Sequence, residues 1–224
     1  MTRVLGVVSA LDLERRWIAA PEPLCETSGV GADSAGAAAR RLVDRGATAL
    51  VSWGMAGGLD PSIDAGTVVL PELLIGADGS RIGVDPGWHG RVLAKIKDRV
   101  GVSTSVLLDV DRPISTVREK RELHRRTGAG AVDMESAAVA SVSNHAGIPF
   151  VAVRVVVDAA ATALPEGALG MFDEGGRLKR SSLVRIVLRP PEWPGIIALA
   201  RANAAASLSM RSVWLAAEPD LGLS

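Results

Sequence analysis

Phe150-Val151-Ala152-Val153-Arg154-Val155-Val156-Val157-Asp158 is an apolar run broken once, by Arg154, and closed by an acid. A strand wet on one face alternates apolar with polar residues, whereas a nearly continuous apolar run belongs to a strand covered on both faces, as in a mostly parallel sheet. Outward from this run, residues 4–9, 49–53, 67–74, 102–108 and 129–132 read as further strands. Helical patterns fill the spaces between them, at 11–18, 32–45, 87–99, 116–126, 134–146, 181–188 and 194–217. The pattern predicts a single domain over residues 1–224, a three-layer α/β/α sandwich around a mixed, mostly parallel central sheet.

Helix punctuation agrees with this. Ser115 or Thr116 is placed to cap a helix with Glu119 in its first turn, and Gly46, Gly128 and Gly147 stand where helices should stop. The alanine-rich stretches at 35–39 and 202–206 suit close-packed helical interfaces. With 224 residues, 48% of them apolar, the chain can bury one substantial core. Lys+Arg and Asp+Glu balance at 25 each, which removes the electrostatic footprint of a nucleic-acid-binding protein and favours a small-molecule partner.

Cys25 is the only cysteine, so no disulfide framework or cysteine-rich zinc site is expected, and a reducing compartment follows. His89, His124 and His145 show no metal-ligand spacing, so no metal is expected; nor is an organic cofactor. Asp12, Glu14, Arg15 and Arg16 interrupt the first apolar run, so no signal peptide is read there. No uncharged apolar stretch reaches the ~20 residues of a membrane-spanning helix. The expected location is cytoplasmic.

Ligands of a parallel sheet bind beyond the C-terminal ends of its strands, which directs attention to acids placed there. Glu14 follows the first strand, Asp133 and Glu135 follow 129–132, and Asp158 closes the opening run. Each also has a structural reading: Asp133 as a helix cap, Asp158 as a strand stop. Glu135 enters an alanine-rich helix at a position expected to be partly buried, where a carboxylate needs a partner such as sugar hydroxyls. Arg154, inside an apolar strand, is expected to make a buried structural ion pair. The cluster Gly54-Met-Ala-Gly-Gly58 is not a dinucleotide fingerprint, nor is Gly29-Val-Gly31 with Ser34 where a third glycine would fall.

Gly54-Met-Ala-Gly-Gly-Leu59, Val132-Asp-Met-Glu-Ser-Ala-Ala138 and Val153-Arg-Val-Val-Val-Asp158 resemble, in order and spacing, three signatures of the purine nucleoside phosphorylase and methylthioadenosine/S-adenosylhomocysteine nucleosidase superfamily. Ser28-Gly-Val-Gly31 and Glu14 resemble further elements, so that the likeness spans roughly residues 3–160. Beyond them, Ala163-Leu-Pro-Glu-Gly167, Asp173-Glu-Gly-Gly-Arg-Leu178, Val184-Arg-Ile-Val-Leu-Arg-Pro190 and Ile196-Ile-Ala-Leu-Ala-Arg-Ala-Asn203 resemble the hopanoid-associated phosphorylase branch. That branch implies release of adenine from adenosylhopane, a lipid-linked nucleoside.

The resemblance implies roles for individual residues. Asp158 takes the place of the general acid near N7 and the exocyclic amine of the base. Glu135, with the backbone of Met134, would hold the ribose hydroxyls, and Asp133, Met55, Ala56 and Gly57 complete the substrate-binding set. Glu14 matches the acid near the attacking water of the nucleosidases. In a phosphorylase inorganic phosphate attacks instead, held by the backbone of Gly29, Gly31 and Gly54 with a cation such as Arg16.

Two hydroxyls of the nucleosidase pattern are missing, because Met55 and Val157 stand where serines are usual. Residues 159–169 are expected to form a flap over the substrate. Arg177-Leu-Lys-Arg180, Arg185, Arg189 and the helix from Trp193 to Trp214 are read either as a transient contact with the inner membrane surface or as core and homodimer packing. Phosphorolysis of adenosylhopane therefore leads, against hydrolysis of a soluble nucleoside and against a nucleoside-binding module without catalysis. A dinucleotide-binding oxidoreductase lacks its glycine fingerprint.

Overall fold

The computed structural model describes residues 3–18, 24–164, 193–218 and 220–223. Along the chain the elements are β1 (Leu5–Ser9), α1 (Asp12–Arg15), β2 (Leu24–Thr27), α2 (Ala32–Asp44), β3 (Ala49–Gly58), β4 (Val68–Val69), β5 (Leu73–Ile75) and β6 (Arg81–Gly83). They continue with α3 (Pro86–Ile96), β7 (Val102–Ser103), β8 (Leu107–Asp109), α4 (Val117–Thr127), β9 (Ala131–Asp133), α5 (Ser136–Ala146), β10 (Phe150–Asp158) and α6 (Trp193–Ala217). The strands form one ten-stranded mixed sheet. Most neighbours are parallel; β4 on β10, β9 on β3 and β6 on β5 are antiparallel.

The apolar run that opened the reading is β10, and its two faces supply two cores. Val151, Val153 and Val155 join Trp53, Trp88 of α3 and Met210, Val213 and Trp214 of α6. Phe150, Ala152 and Val156 join Ala35, Ala38, Ala39 and Leu42 of α2 with Val139 and Ala140 of α5. This is the expected three-layer α/β/α sandwich. Trp53 and Trp214 meet edge to face, ring centroids 5.8 Å apart at 85°. Arg154 shares its phase with Ala152 and Val156, so its side chain is directed to the α5 face.

Several boundaries differ from the sequence reading, each for a local reason. The expected strand 67–74 is two strands, β4 and β5, separated at Pro71, which has no N–H for a ladder. The expected 102–108 divides into β7 and β8 around Thr104 and Ser105, where Ser103 and Ser105 hydroxyls bond each other at 2.7 Å. β2 and β6 were unread, being short and partly polar, as in Leu-Cys-Glu-Thr and Arg-Ile-Gly. Thr116 caps α4 as expected, its hydroxyl accepting from Glu119 N at 3.2 Å, and Gly128 and Gly147 end α4 and α5 at φ 68° and 65°. The expected helix 181–188 lies outside the described residues.

One difference positions the site. The sequence reading stops the second long strand at Trp53 and places the glycines beyond its end, but β3 continues through them to Gly58. One edge of β3 pairs with β10 from Leu50 to Gly57. The other edge is shared: β1 runs parallel along Ala49 to Ser52, and β9 runs antiparallel along Gly57 and Gly58. β1 and β9 therefore point their C-terminal ends at each other across residues 53–56 of β3, which neither of them covers.

Candidate active site

The interval between β1 and β9 is a cleft of about 260 Å3, lined by Ala10, Leu11 and Glu14 after β1, Met55, Ala56 and Gly57 of β3, and Val132 to Glu135 at the end of β9. Val157, Asp158 and Leu164 close the β10 side, and Val30, Val110, Pro113 and Ile114 add an apolar wall. Glu14, Asp133, Glu135 and Asp158 thus reach one cavity. The rule that drew attention to them holds in an altered form: β9 is antiparallel to β3, so its acids approach from the direction opposite to Glu14 and Asp158.

Glu14 supplies the hydrogen bond that β3 lacks here. Its Oε1 accepts from Met55 N at 2.9 Å, while Oε2 accepts from Ala10 N at 3.0 Å and Leu11 N at 2.9 Å. Gly54 is needed for this approach, because a Cβ there would collide with the Glu14 carboxyl and the Arg154 guanidinium. Burial pushes Glu14 up to about 7, against the pull of Arg154 and of the Leu11 and Met55 amides.

Glu135 stands at the N-cap of α5, one residue before the helix rather than inside its first turn. Its side chain turns away from that helix: Oε1 accepts from Gly31 N at 3.0 Å and Oε2 from Met134 N at 3.4 Å. Desolvation raises its pKa, opposed by Arg154. Asp133 Oδ2 is bound by Arg154 Nη2 at 2.8 Å and by the Ser136 hydroxyl at 2.5 Å. Its Oδ1 is buried without a hydrogen-bond partner among the described residues.

Arg154 makes the buried ion pair expected of it and more, donating also to Ser52 Oγ at 2.7 Å and Ser136 Oγ at 3.1 Å, with Glu135 Oε2 at 3.6 Å. Behind the cleft, Asp109 accepts from Ala137 N at 3.0 Å, and burial, then Asp133, pushes it up to about 7. Asp158 pairs with the buried Lys120 ammonium. Burial still carries Asp158 up to about 6, with Lys120 pulling the other way.

Asp109 and Lys120 are the residues that the sequence reading passed over. Asp109 ends the apolar run 102–108, so the strand-end rule applied there would have found it. Lys120 was hidden in Val-Arg-Glu-Lys-Arg-Glu-Leu-His-Arg-Arg-Thr, where only its place three residues after Val117 and three before Leu123 puts it on the inward stripe.

Of the residues expected to hold phosphate, Gly31 and Gly54 lie beside the cleft acids and Arg16 does not. Arg16 donates to Ser207 Oγ at 3.1 Å and lies over the Trp17 ring at 4.7 Å, away from the cleft lining. Gly31 N is given to Glu135, Gly54 lies against Arg154 and Glu14, and the Gly29 carbonyl accepts from the Ser28 hydroxyl at 2.6 Å. Of the expected flap, residues 159–164 are described and only Leu164 lines the cavity. The basic segment 177–189 lies outside the described residues.

An α/β sandwich with acids gathered where two strand ends meet defines a class of small-molecule enzyme fold, and comparison with known proteins identifies it. Residues 9–189 match the family model of the Phosphorylase superfamily, and the chain belongs to that family. A 5′-methylthioadenosine/S-adenosylhomocysteine nucleosidase of Mycobacterium bovis is 27% identical over 200 residues, covering 71% of this chain and 76% of the relative. Its counterpart in Thermotoga maritima is 31% identical over 111 residues, covering 47% of this chain and 51% of that protein.

Among solved structures, the nucleosidase of Neisseria meningitidis in complex with methylthio-immucillin-A superposes with a TM-score of 0.72 at 18% identity, over 96% of this chain and 97% of that one. Futalosine hydrolase of Helicobacter pylori superposes with a TM-score of 0.70 at 15% identity, over 94% and 97%. These two establish the likeness of fold. Among the described residues, no helix is long and apolar enough to cross a membrane.

Proposed function

We propose that this chain cleaves the N-glycosidic bond of a purine nucleoside, with water as the attacking group and an apolar substituent at the 5′ position of the ribose. The observation that carries the reading is the meeting of Glu14, Glu135 and Asp158, with Asp133 beside them, in one cleft whose remaining wall is apolar. A purine leaves poorly as an anion, and the ribose develops cationic character as it departs. In the proposed step the electron pair of the C1′–N9 bond goes to the purine, and the Asp158 proton passes to N7. Water oxygen bonds C1′ and yields its proton to Glu14.

Glu14 suits the base because Oε1 accepts a single backbone hydrogen bond and keeps a lone pair for water. Glu135, already oriented by Gly31 N, is the ribose anchor, with Met134 beside it. Nucleosidase names among the relatives support water as the nucleophile. So does the engagement, among the described residues, of the two buried cations beside these acids, Arg154 by Asp133 and Lys120 by Asp158.

The second reading is phosphorolytic release of adenine from adenosylhopane. The apolar wall of Val30, Val110, Pro113, Ile114 and Leu164 favours it, since a lipid-linked nucleoside needs such a path. Under either reading we carry forward a homodimer, for which α6 offers two exposed leucines, Leu208 and Leu215, 63% and 54% exposed. Chromatographic assay of adenine release from a 5′-alkylthioadenosine, with and without inorganic phosphate, tests the choice. Release independent of phosphate is expected, and Asp158→Asn should lower it at least about a hundredfold. Strict dependence on phosphate overturns the hydrolytic reading, and an equally fast Asp158→Asn protein overturns the acid.

A further inference from the structure

α4 is a surface helix of arginines and glutamates, yet Lys120 within it is 0% exposed. Its ammonium meets the Asp158 carboxylate at Oδ2, together with the carbonyl oxygens of Asp158 at 3.2 Å, Ala159 at 3.0 Å and Thr162 at 2.9 Å. An ammonium has three N–H groups, so these acceptors saturate it and fix its place. Close by, Leu164 N donates to Ser115 O at 2.9 Å, which fastens the same loop to the start of α4 and sets Leu164 as a wall of the cleft.

A helix and a loop can be tied together without burying a charge, and an apolar side chain of similar volume often serves stability as well as a buried ion pair. The charge at Lys120 has a second effect. Asp158 lies against Gly57 of β3, whose missing Cβ would sit 3.5 Å from either carboxyl oxygen, and the charged side chain packed on it is Lys120. The ammonium occupies Oδ2 from the α4 side, and Asp158 also lines the cleft.

We infer that Lys120 is a positioning residue for proton delivery to the purine: it fixes Asp158 beside the leaving base, steadies the carboxylate left after transfer, and anchors residues 159–164 beside the substrate. The inference rests on Asp158 being the acid proposed above. Without Lys120, burial acts on Asp158 unopposed, and the carboxyl holds its proton to higher pH.

Two variants separate charge from tether. Lys120→Gln keeps N–H donors for the carbonyls and removes the charge; Lys120→Arg keeps the charge. For Lys120→Gln, kcat should fall about a hundredfold with KM changed less than about threefold, and the alkaline limb of the kcat–pH profile should move up by about one unit. Lys120→Arg should restore the limb. A 13C-carboxyl NMR titration of Asp158 in the unliganded proteins should show the same upward movement in Lys120→Gln, and it needs no turnover. If that titration coincides with wild type, or if kcat falls with the limb unmoved, the inference is overturned. Wild-type protein that releases no purine would overturn the proposed reaction instead, leaving the titration to decide whether Lys120 controls Asp158.

Discussion

Arg154 and Lys120 are buried alike, 1% and 0% exposed, but their surroundings differ in charge. Around Arg154 stand Asp133 and Glu135 in contact, with Glu14 and Asp109 near enough to raise its pKa. Lys120 faces one carboxylate and a set of neutral carbonyls. Burial, with one guanidinium set against several acids, keeps protons at the β1–β9 junction near neutral pH, on Glu14 and Asp109 at about 7. The Lys120 pair balances one to one. The first arrangement stores exchangeable protons under the proposed ribose site, and the second directs a single proton at the proposed base site.

Removing each element should expose the contrast, most strongly at Arg154. Arg154→Met leaves buried carboxylates uncompensated and should cost about 3–5 kcal/mol in urea unfolding at pH 8, with a smaller loss at pH 5, where the acids take up protons. Equal losses at both pH values would break the picture of an acid-rich cluster.

Asp109 gives the intermediate effect. Its folded-state pKa is raised from 3.8 to about 7, so the native state binds the extra proton between those values and stability declines as pH rises through that window. Asp109→Asn keeps an oxygen for Ala137 N and removes the titration. Relative to wild type it should gain on the order of 2 kcal/mol between pH 5 and pH 7, read from melting curves across pH. A constant difference would show that Asp109 titrates normally.

The smallest effect belongs to the scaffold of the other cation. Thr116→Ala removes the cap of α4 and should cost about 1 kcal/mol without moving the pH dependence of activity. A displaced pH profile would mean that α4 stability, rather than the Lys120 charge, sets the behaviour of Asp158.

How far the sequence discloses this contrast depends on the kind of signal. β10 and the acids following β1, β9 and β10 were legible because covered strands carry unbroken apolar runs and their ends stand out against them. The paired role of Arg154 was legible for the same reason, a charge inside such a run. The antiparallel course of β9 was not, since Ala-Val-Asp carries no mark of direction. The glycines of β3 looked like a loop because lost side chains weaken strand propensity. Here they clear space for Glu14 and Arg154, a reason that exists only once distant segments meet. Lys120 is hidden likewise, among charges that look equivalent until one of them is buried.

The head-to-head meeting of β1 and β9 makes β3 a ruler for the cleft. Residues 53–56 separate the two covered stretches, and the five steps from Ser52 to Gly57, at roughly 3.3 Å each, set the paired ends about 16 Å apart. That width changes only in steps. Adding one residue to the interval would reverse which side chains of β3 face α5, sending the position beyond it to the wrong layer, whereas adding two would restore the phase and open the cleft by roughly 7 Å. Because β10 is paired with β3 along this same interval, anyone redesigning the cavity for a bulkier nucleoside has to insert residues in pairs into both strands.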